Sequence, residues 1–133
     1  MKRATLSAFA VILLLFLVLL SCSGRMEREH RQVRRAACRS YVYLAEGRHA
    51  DYVSCLAASV SADTEQLQAL GDMAAEYAAL LQSENGGLAS VTPVGDTIWG
   101  DTAHVFLQLI FADGASEQLG VPMVRQDGKW RVL

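Results

Sequence analysis

Between residues 26 and 84, apolar residues recur at intervals of three or four positions in three separate stretches. This spacing puts apolar side chains on one face of a helix. The sequence therefore predicts helices over about residues 26–46 and 50–60, and a third that begins at Asp63. Gly47 is typical of a residue that ends a helix, and Asp63 with Gln66 has the spacing of a capping box. The apolar stripes are Val33, Ala37, Tyr41 and Leu44; Val53, Leu56, Ala57 and Val60; and Leu67, Leu70, Ala74, Tyr77 and Leu81.

After Asn85-Gly86-Gly87, which predicts the end of the third helix, the pattern changes to strict alternation. Alternation over residues 102–111 predicts a strand with one apolar face and one mixed face. The apolar face consists of Ala103, Val105, Leu107, Leu109 and Phe111, and the mixed face of Thr102, His104, Phe106, Gln108 and Ile110. Because the apolar face is continuous, we expect it to pack on the helices and the mixed face to point away from them.

Further strands are predicted over residues 88–94, 116–124 and 129–133. Pro93 predicts an edge position or a bulge for the first of them. Two tight-turn sequences separate the later strands, Asp113-Gly114 and Asp127-Gly128. The predicted fold class is therefore α+β, with three N-terminal helices packed on one face of a curved antiparallel sheet of about four strands.

The beginning of the chain has the character of a targeting segment. An uncharged run over residues 4–20 follows Lys2 and Arg3 and ends at a small residue and a cysteine. The sequence Leu19-Leu20-Ser21-Cys22 resembles the lipobox of bacterial lipoprotein signal peptides, with Leu20 less usual at its position. The resemblance implies cleavage before Cys22 and a diacylglycerol group on that residue, the one covalent group expected here, with no other cofactor. The alternatives are ordinary secretory cleavage and an uncleaved anchor, since this run lies at the low end of the length that spans a bilayer.

The lipobox resemblance implies three segments and a location. The segments are the signal peptide (1–21), the lipidated cysteine with a short tether (22–29) and the domain (30–133). The protein is expected in the cell envelope, facing the periplasm and held at a membrane by its lipid. By resemblance to lipoprotein sorting in Gram-negative bacteria, Ser23 directly after the cysteine, rather than Asp, favours the outer over the inner membrane.

Charge argues against one class of partner. Without residues 1–21 the chain has ten basic and fourteen acidic residues, a net charge of −4. A nucleic-acid-binding domain is expected to be basic, so no nucleic acid is expected as a partner. The arginines between Arg25 and Arg39 form the one basic run, interpreted either as a solvated helix face or as a segment that contacts anionic lipids.

The remaining cysteines, Cys38 and Cys55, leave two alternatives open. They lie at equal distances from the Glu46–Gly47 bond, so antiparallel helices joined there would hold them at the same height. A disulfide is favoured by an oxidising compartment, and two buried free thiols are the alternative.

The sequence also resembles the nuclear transport factor 2-like, or cystatin-like cone, superfamily. The resemblance covers residues 30–133 and rests on the helix–Gly47–helix opening at 43–48, the strand 103–111 and the closing sequence at 127–132. It looks closest to small bacterial lipoproteins whose single domain has no assigned function. It implies a cone-shaped pocket between helices and sheet, and a sheet face through which members often dimerise.

The candidate sites follow from that expected geometry. A pocket for a small apolar ligand is predicted from Tyr41, Tyr77, Leu107, Leu109 and Trp130, with core aromatic packing as the alternative. An isomerase-like or dehydratase-like enzyme would need an acid–base pair, and His49 with Asp51 is the available candidate. The histidines and cysteines lack the spacing of a metal site, so no metal is expected.

The mixed face of the strand over residues 102–111 is the last candidate site. His104, Phe106, Gln108 and Ile110 are too apolar for a wholly solvated face and too polar for a core. We therefore expect a non-catalytic binding module that contacts a second copy or another envelope protein through this face. The ligand carrier and the enzyme remain alternatives.

Overall fold

A computed structural model describes the backbone of residues 2–133 and the side chains of residues 7–133. Met1 and the side chains of Lys2 and Arg3, part of the predicted signal peptide, lie outside the described residues. The chain divides into two units, residues 1–31 and residues 32–133. Its elements are α1 (Lys2–Ala45), α2 (His49–Ser54), a 3-10 turn (Ala57–Ser59), α3 (Thr64–Ser83), β1 (Leu88–Trp99), β2 (Thr102–Phe111), β3 (Ser116–Gln126) and β4 (Lys129–Val132).

The first unit is helical and apolar. From Ser7 onward, α1 contains an 18-residue window with a mean hydropathy of 2.5, and none of that window is buried. This length and composition suit a helix that crosses a membrane, and a signal sequence satisfies the same criteria. Residues 22–29, expected as a tether, are helical as well. The hydroxyls of Ser21 and Ser23 donate to the carbonyl oxygens of Leu17 and Leu20, so neither serine interrupts the helix.

The part of α1 in the second unit matches its predicted stripe and its predicted end. Val33, Ala37 and Leu44 have no exposed surface, and Tyr41 is 8% exposed. The helix ends with the paired hydrogen bonds of a Schellman motif, from Gly47 to Leu44 and from Arg48 to Tyr43. Gly47 has a φ of +72°, the left-handed conformation that this motif requires.

The predicted second helix is shorter than expected. Residues 50–60 were expected to form one helix, whereas α2 ends at Ser54 and a 3-10 turn follows Leu56. The reason lies in the sheet: the Val132 N–H donates to the Cys55 carbonyl oxygen, and Leu56 forms a parallel bridge with Val132. Pairing with β4 holds Leu56 in an extended conformation, so the helix cannot continue.

The third helix confirms its predicted start. The Gln66 N–H donates to Asp63 Oδ1 at 2.8 Å, and the Asp63 N–H donates to Gln66 Oε1 at 3.0 Å, which completes the capping box. The buried face contains Ala74, Ala78 and Leu81, with Leu70 and Tyr77 partly buried. Leu67, predicted in the stripe, is 41% exposed.

The four strands form an antiparallel sheet in the order β1-β2-β3-β4. β2 has the predicted bounds, and β1 continues to Trp99 instead of ending near residue 94. Pro93 is accommodated in both predicted ways, because β1 is an edge strand and a register shift follows between Pro93 and Gly95.

One hydrophobic core joins the helices to one face of this sheet. The inward residues of β2, from Ala103 to Phe111, are at most 3% exposed and cluster with the stripes of α1 and α3. The predicted α+β architecture is therefore confirmed, with the helices on one sheet face and the mixed face of β2 turned outward.

Candidate functional site

All five residues predicted to line a ligand pocket belong to the hydrophobic core cluster or pack against it. Leu107 and Leu109 have no exposed surface. The hydroxyls of Tyr41 and Tyr77 lie 3.1 Å apart, and their rings meet edge to face at 6.1 Å. Burial raises the pKa of the Tyr41 hydroxyl well above its usual value, and the hydrogen bond to Tyr77 adds to the rise. Tyr41 and Tyr77 therefore contact each other, as the alternative of core aromatic packing expects, and the ligand pocket stays a prediction.

A surface groove lies elsewhere, between α1, the end of α2 and the β3–β4 hairpin. Its volume is about 650 Å³, which is within the range of small-molecule sites. Four cationic side chains line it, and we call it the basic groove: Arg35, Arg39, Lys129 and Arg131. Tyr43, Cys55 and Trp130 form less polar parts of its wall. Trp130 is thus the one predicted pocket residue that borders this opening.

The distribution of charge within residues 32–133 is uneven. This unit has seven basic and twelve acidic residues, a net charge of −5. Four of the seven basic residues line the basic groove, and none of the twelve acidic residues does. A concentration of cations in an acidic domain makes the groove a local site of positive potential.

The three basic residues outside the groove are all ion-paired. Arg34 binds Asp96, Arg48 binds Asp51 and Glu46, and Arg125 binds Asp101. The hydrogen bond from Arg48 to Asp51 raises the pKa of the Arg48 guanidinium. Among the described residues, none of the four groove cations makes an ion pair; Arg131 donates one hydrogen bond, to the Ser54 carbonyl oxygen at 3.0 Å.

Two residues of the groove lining have a buried polar atom without a hydrogen-bond partner among the described residues. Trp130 Nε1 and Arg131 Nε are buried and find no acceptor among the described residues, and Gln126 Oε1 nearby in sequence is a buried acceptor without a donor. Each such group costs on the order of 1–3 kcal/mol. The guanidinium of Arg125 lies 5.3 Å from the Trp130 ring centroid and helps to fix that ring.

Sequence reasoning missed one buried carboxylate. Asp96 lies opposite the inward residue Val105, and its side chain is 1% exposed. Arg34 donates to Asp96 Oδ1 at 2.6 Å, so the charge is compensated where helix α1 meets the edge strand. The bulge after Pro93 shifts the alternation of β1, which is why the pattern gave no sign that Asp96 faces inward.

Cys38 and Cys55 are free thiols in the structure, each half-buried. Burial raises the pKa of the Cys38 thiol. Burial also raises the pKa of the Cys55 thiol, although Arg39 opposes part of that rise. Cys55 Sγ donates to the Asp51 carbonyl oxygen at 3.4 Å. The disulfide stays a prediction, and the free thiols correspond to its alternative.

His49 and Asp51 both lie on the short helix α2, near its start. Asp51 accepts a hydrogen bond from Arg48 Nε at 2.8 Å, so its carboxylate is bound to an exposed cation beside the Gly47 turn. Within the part of the chain that the structure describes, no three His, Cys, Asp or Glu side chains are grouped to hold a metal ion.

The outward face of the sheet carries the residues predicted for interaction. Phe106 is 39% exposed and Ile110 36% exposed. His104 stacks on Phe106 at 6.4 Å and meets the Trp99 ring edge to face at 6.0 Å. Gly95 and Gly120 flank Phe106 on the neighbouring strands, which leaves room for its ring to lie against the sheet.

The outward positions of β1, β2 and β3 are uncharged throughout, and we call them the outer sheet face. Directly paired residues share a face, so the register assigns fifteen positions to it. They are Ser90, Thr92, Gly95, Thr97, Trp99, Thr102, His104, Phe106, Gln108, Ile110, Ser116, Gln118, Gly120, Pro122 and Val124. With histidine neutral, none carries a charge, although the unit as a whole is strongly acidic.

Comparison with known proteins supports the fold. No protein-family model matches the chain, and no curated protein sequence does. A crystal structure of a Campylobacter jejuni protein, provisionally named a nuclear transport factor 2-like transpeptidase, matches with a TM-score of 0.61 at 21% sequence identity. The match covers 73% of this chain and 93% of the C. jejuni chain. This chain therefore carries a domain of the nuclear transport factor 2-like fold.

Proposed function

We propose that this protein is a lipid-anchored cell-envelope protein whose domain is a non-catalytic binding module. The observation that carries the proposal is the outer sheet face, which is uncharged and partly exposed on the side of the sheet opposite the hydrophobic core. A carrier would need space where Leu107 and Leu109 are fully buried. An interaction module needs an accessible half-apolar surface, as Phe106 and Ile110 provide.

The chemistry of the described side chains supports a non-catalytic role. A covalent enzyme needs a nucleophile with a base in hydrogen-bond reach. Ser40, Ser54 and Cys55 instead donate to backbone carbonyl oxygens. The inward carboxylate Asp96 is held by Arg34. The transpeptidase name of the C. jejuni protein is therefore not extended to this chain.

The anchoring part of the proposal rests on the first unit. Its apolar helix suits a signal sequence or a membrane anchor, and Cys22 follows directly in the Leu-Leu-Ser-Cys order of a lipobox. Several acyl chains hold a protein at a membrane stably, whereas one does so only marginally. Mass spectrometry of the protein purified from membranes should find residues 1–21 absent and diacylglycerol on Cys22.

A matched pair of variants isolates the role of that cysteine. Cys22→Ala should retain the leader and lose the acyl mass, whereas Cys38→Ala should be processed like the wild type. An intact leader on the wild-type protein, or a processed protein without acyl chains, would contradict the anchoring.

For the binding module we propose a second copy of this chain as the occupant of the outer sheet face. Two copies of an acidic domain repel each other over most of their surface, since each carries a charge of −5 over residues 32–133. The outer sheet face, being uncharged, permits self-contact without like-charge repulsion. His104 and Gln108 offer hydrogen-bonding groups between the apolar side chains Phe106 and Ile110.

Sedimentation velocity of the full chain in neutral micelles tests this dimer. Phe106→Asp should shift the protein to monomer, because it places two charges in a desolvated contact. Leu67→Asp is the control, since Leu67 is similarly exposed at 41% but lies on α3. A monomeric wild type, or equal dissociation in both variants, would count against the second copy and favour a different envelope protein as the partner.

A further inference from the structure

We infer that the basic groove is a binding site for a phosphate ester, the phosphate being held by Arg35 and Arg39 from α1 and by Lys129 and Arg131 from β4. None of the fifteen residues of the outer sheet face lines the groove, although Arg131 pairs with Val124 where the two surfaces adjoin. The inference does not depend on the anchoring at Cys22.

The groove cations differ from the other basic residues of the unit in their ion pairing. Arg34, Arg48 and Arg125, the basic residues of this unit outside the groove, all have carboxylate partners, and the four inside have none among the described residues. Acidic residues outnumber basic ones by twelve to seven in residues 32–133, so carboxylates are not scarce in this unit. The sequence thus concentrates unpaired cations in one concave place within an acidic surface, and a cleft lined by one sign of charge attracts the opposite sign.

The two groove arginines of α1 are spaced so that their charges repel each other. Arg35 and Arg39 are four residues apart on α1, so they lie one above the other on the same helix face. Like charges at this spacing repel and destabilise a helix. No acidic residue among the groove-lining side chains relieves that repulsion. A bound anion would relieve the repulsion between the two arginines. The repulsion in the free protein is therefore expected of a preformed anion site.

The groove has room and aromatic surface for more than an inorganic anion. Its volume of about 650 Å³ is much larger than one inorganic phosphate requires, so an organic group has room beside the anion. Tyr43 and Trp130 offer aromatic surface for that group. Both rings are fixed from outside the site, Tyr43 by Arg48 at 4.5 Å and Trp130 by Arg125 at 5.3 Å.

The number and type of the groove cations favour a phosphate over a carboxylate. A carboxylate carries one charge, whereas a phosphate monoester carries about −1.5 to −2 and presents three strong acceptor oxygens. Three guanidinium groups and one ammonium suit that charge and that number of acceptors, because arginine forms paired hydrogen bonds with phosphate oxygens. The phosphate could belong to a soluble ester or to a lipid headgroup, and the experiment separates these sources.

The experiment uses the full chain with Trp99→Phe, in neutral maltoside micelles. The protein has two tryptophans, so this variant leaves Trp130 in the groove wall as the only one. Titration with sn-glycerol 3-phosphate should change the Trp130 fluorescence saturably, and ³¹P line broadening of the same ligand measures binding independently. Raising the salt concentration should weaken the binding, because exposed charges are screened.

Two variants in this background give the decisive comparison. The double change Arg35→Gln and Arg39→Gln should weaken binding roughly tenfold or more, since two charge-assisted contacts are lost. Arg31→Gln removes the same kind of charge one turn earlier on α1, outside the groove lining, and should leave binding unchanged. Circular dichroism should find the double variant folded, because its mutated side chains are exposed.

The ligand arms identify the source of the phosphate. Tighter binding of dihexanoylphosphatidic acid, a phosphate monoester like sn-glycerol 3-phosphate, than of sn-glycerol 3-phosphate itself would assign a lipid headgroup; equal or weaker binding would assign a soluble ester. Both outcomes support the site. It would be overturned if neither ligand bound, if acetate bound as tightly as either, or if the double variant bound as well as Arg31→Gln.

Discussion

The outer sheet face and the basic groove belong to the same domain and have opposite chemistry. The outer sheet face has fifteen uncharged positions, with three exposed aromatic rings in contact at one end. The basic groove has four cations that form no ion pair with any described residue, in a domain of net charge −5. Apolar contact is little affected by salt, and ion binding is weakened by it. A single protein can therefore offer two binding surfaces that respond differently to the same change in conditions.

The difference also indicates which surface the fold itself requires. Inward residues of β2 are needed for the core, whereas outward residues of the same strand are not. The groove cations contribute nothing to folding through pairing, since none of them is paired within the described chain. Both surfaces are thus places where substitution should alter binding more than stability.

The largest expected effect separates the two faces of β2. Leu107→Ala, at a position with no exposed surface, should lower the free energy of unfolding by about 2–5 kcal/mol. Phe106→Ala, at the adjacent position with 39% exposure, should cost roughly 1 kcal/mol in the monomer, because much of the ring is already in water. Urea unfolding at a dilution that prevents association measures both. Equal losses would mean that the outer sheet face is part of a core.

An intermediate effect separates paired from unpaired cations. Arg34 and Arg35 are neighbours in sequence, yet Arg34 compensates a carboxylate that is 1% exposed and Arg35 lies in the groove. Arg34→Gln should lower the free energy of unfolding by about 1–3 kcal/mol, because Asp96 would lose its charged partner. Arg35→Gln should leave it nearly unchanged. Thermal unfolding compares the two variants, and a greater loss for Arg35→Gln would contradict the assignment of roles.

The smallest expected effect concerns repulsion inside the groove. Replacing Arg35 and Arg39 together by Gln should raise the free energy of unfolding by roughly 0.2–0.5 kcal/mol, since like charges four residues apart repel. Adding salt to the wild type should give part of the same gain through screening. A clear loss of stability in the double variant would show that these arginines have structural partners after all.

Much of the fold could be predicted because it depends on local patterns. The alternation of residues 102–111 gave the bounds of β2 and both of its faces, and the Asp63–Gln66 spacing gave the start of α3. Gly47 gave the end of α1, because its positive φ is required by the motif that closes the helix. Each of these signals is complete within about ten residues.

Features that depend on distant segments could not be predicted in the same way. The second helix is cut short by pairing between Leu56 and Val132, which are far apart in the sequence. The bulge in β1 places Asp96 on the inward face, and the composition of the strand gives no signal of this. Both depend on tertiary contacts that override a local pattern.

The basic groove shows why sites are harder to predict than folds. Its cations come from two places, Arg35 and Arg39 in an arginine-rich run and Lys129 and Arg131 in the final strand. The run alone was equally consistent with a solvated helix face or a membrane contact, and the Lys-Trp-Arg sequence indicated only the fold. Only the packing of α1 beside the β3–β4 hairpin brings the four together, and no carboxylate of residues 7–133 pairs with any of them.

The most direct test is an NMR measurement of the arginine Nε–Hε signals of the full chain in neutral micelles, before and after addition of sn-glycerol 3-phosphate. The signals of Arg35, Arg39 and Arg131 should move in a saturable way, while those of the ion-paired Arg34, Arg48 and Arg125 stay in place. Equal movement of all six, or no movement of the groove arginines, would contradict a phosphate site built from unpaired cations.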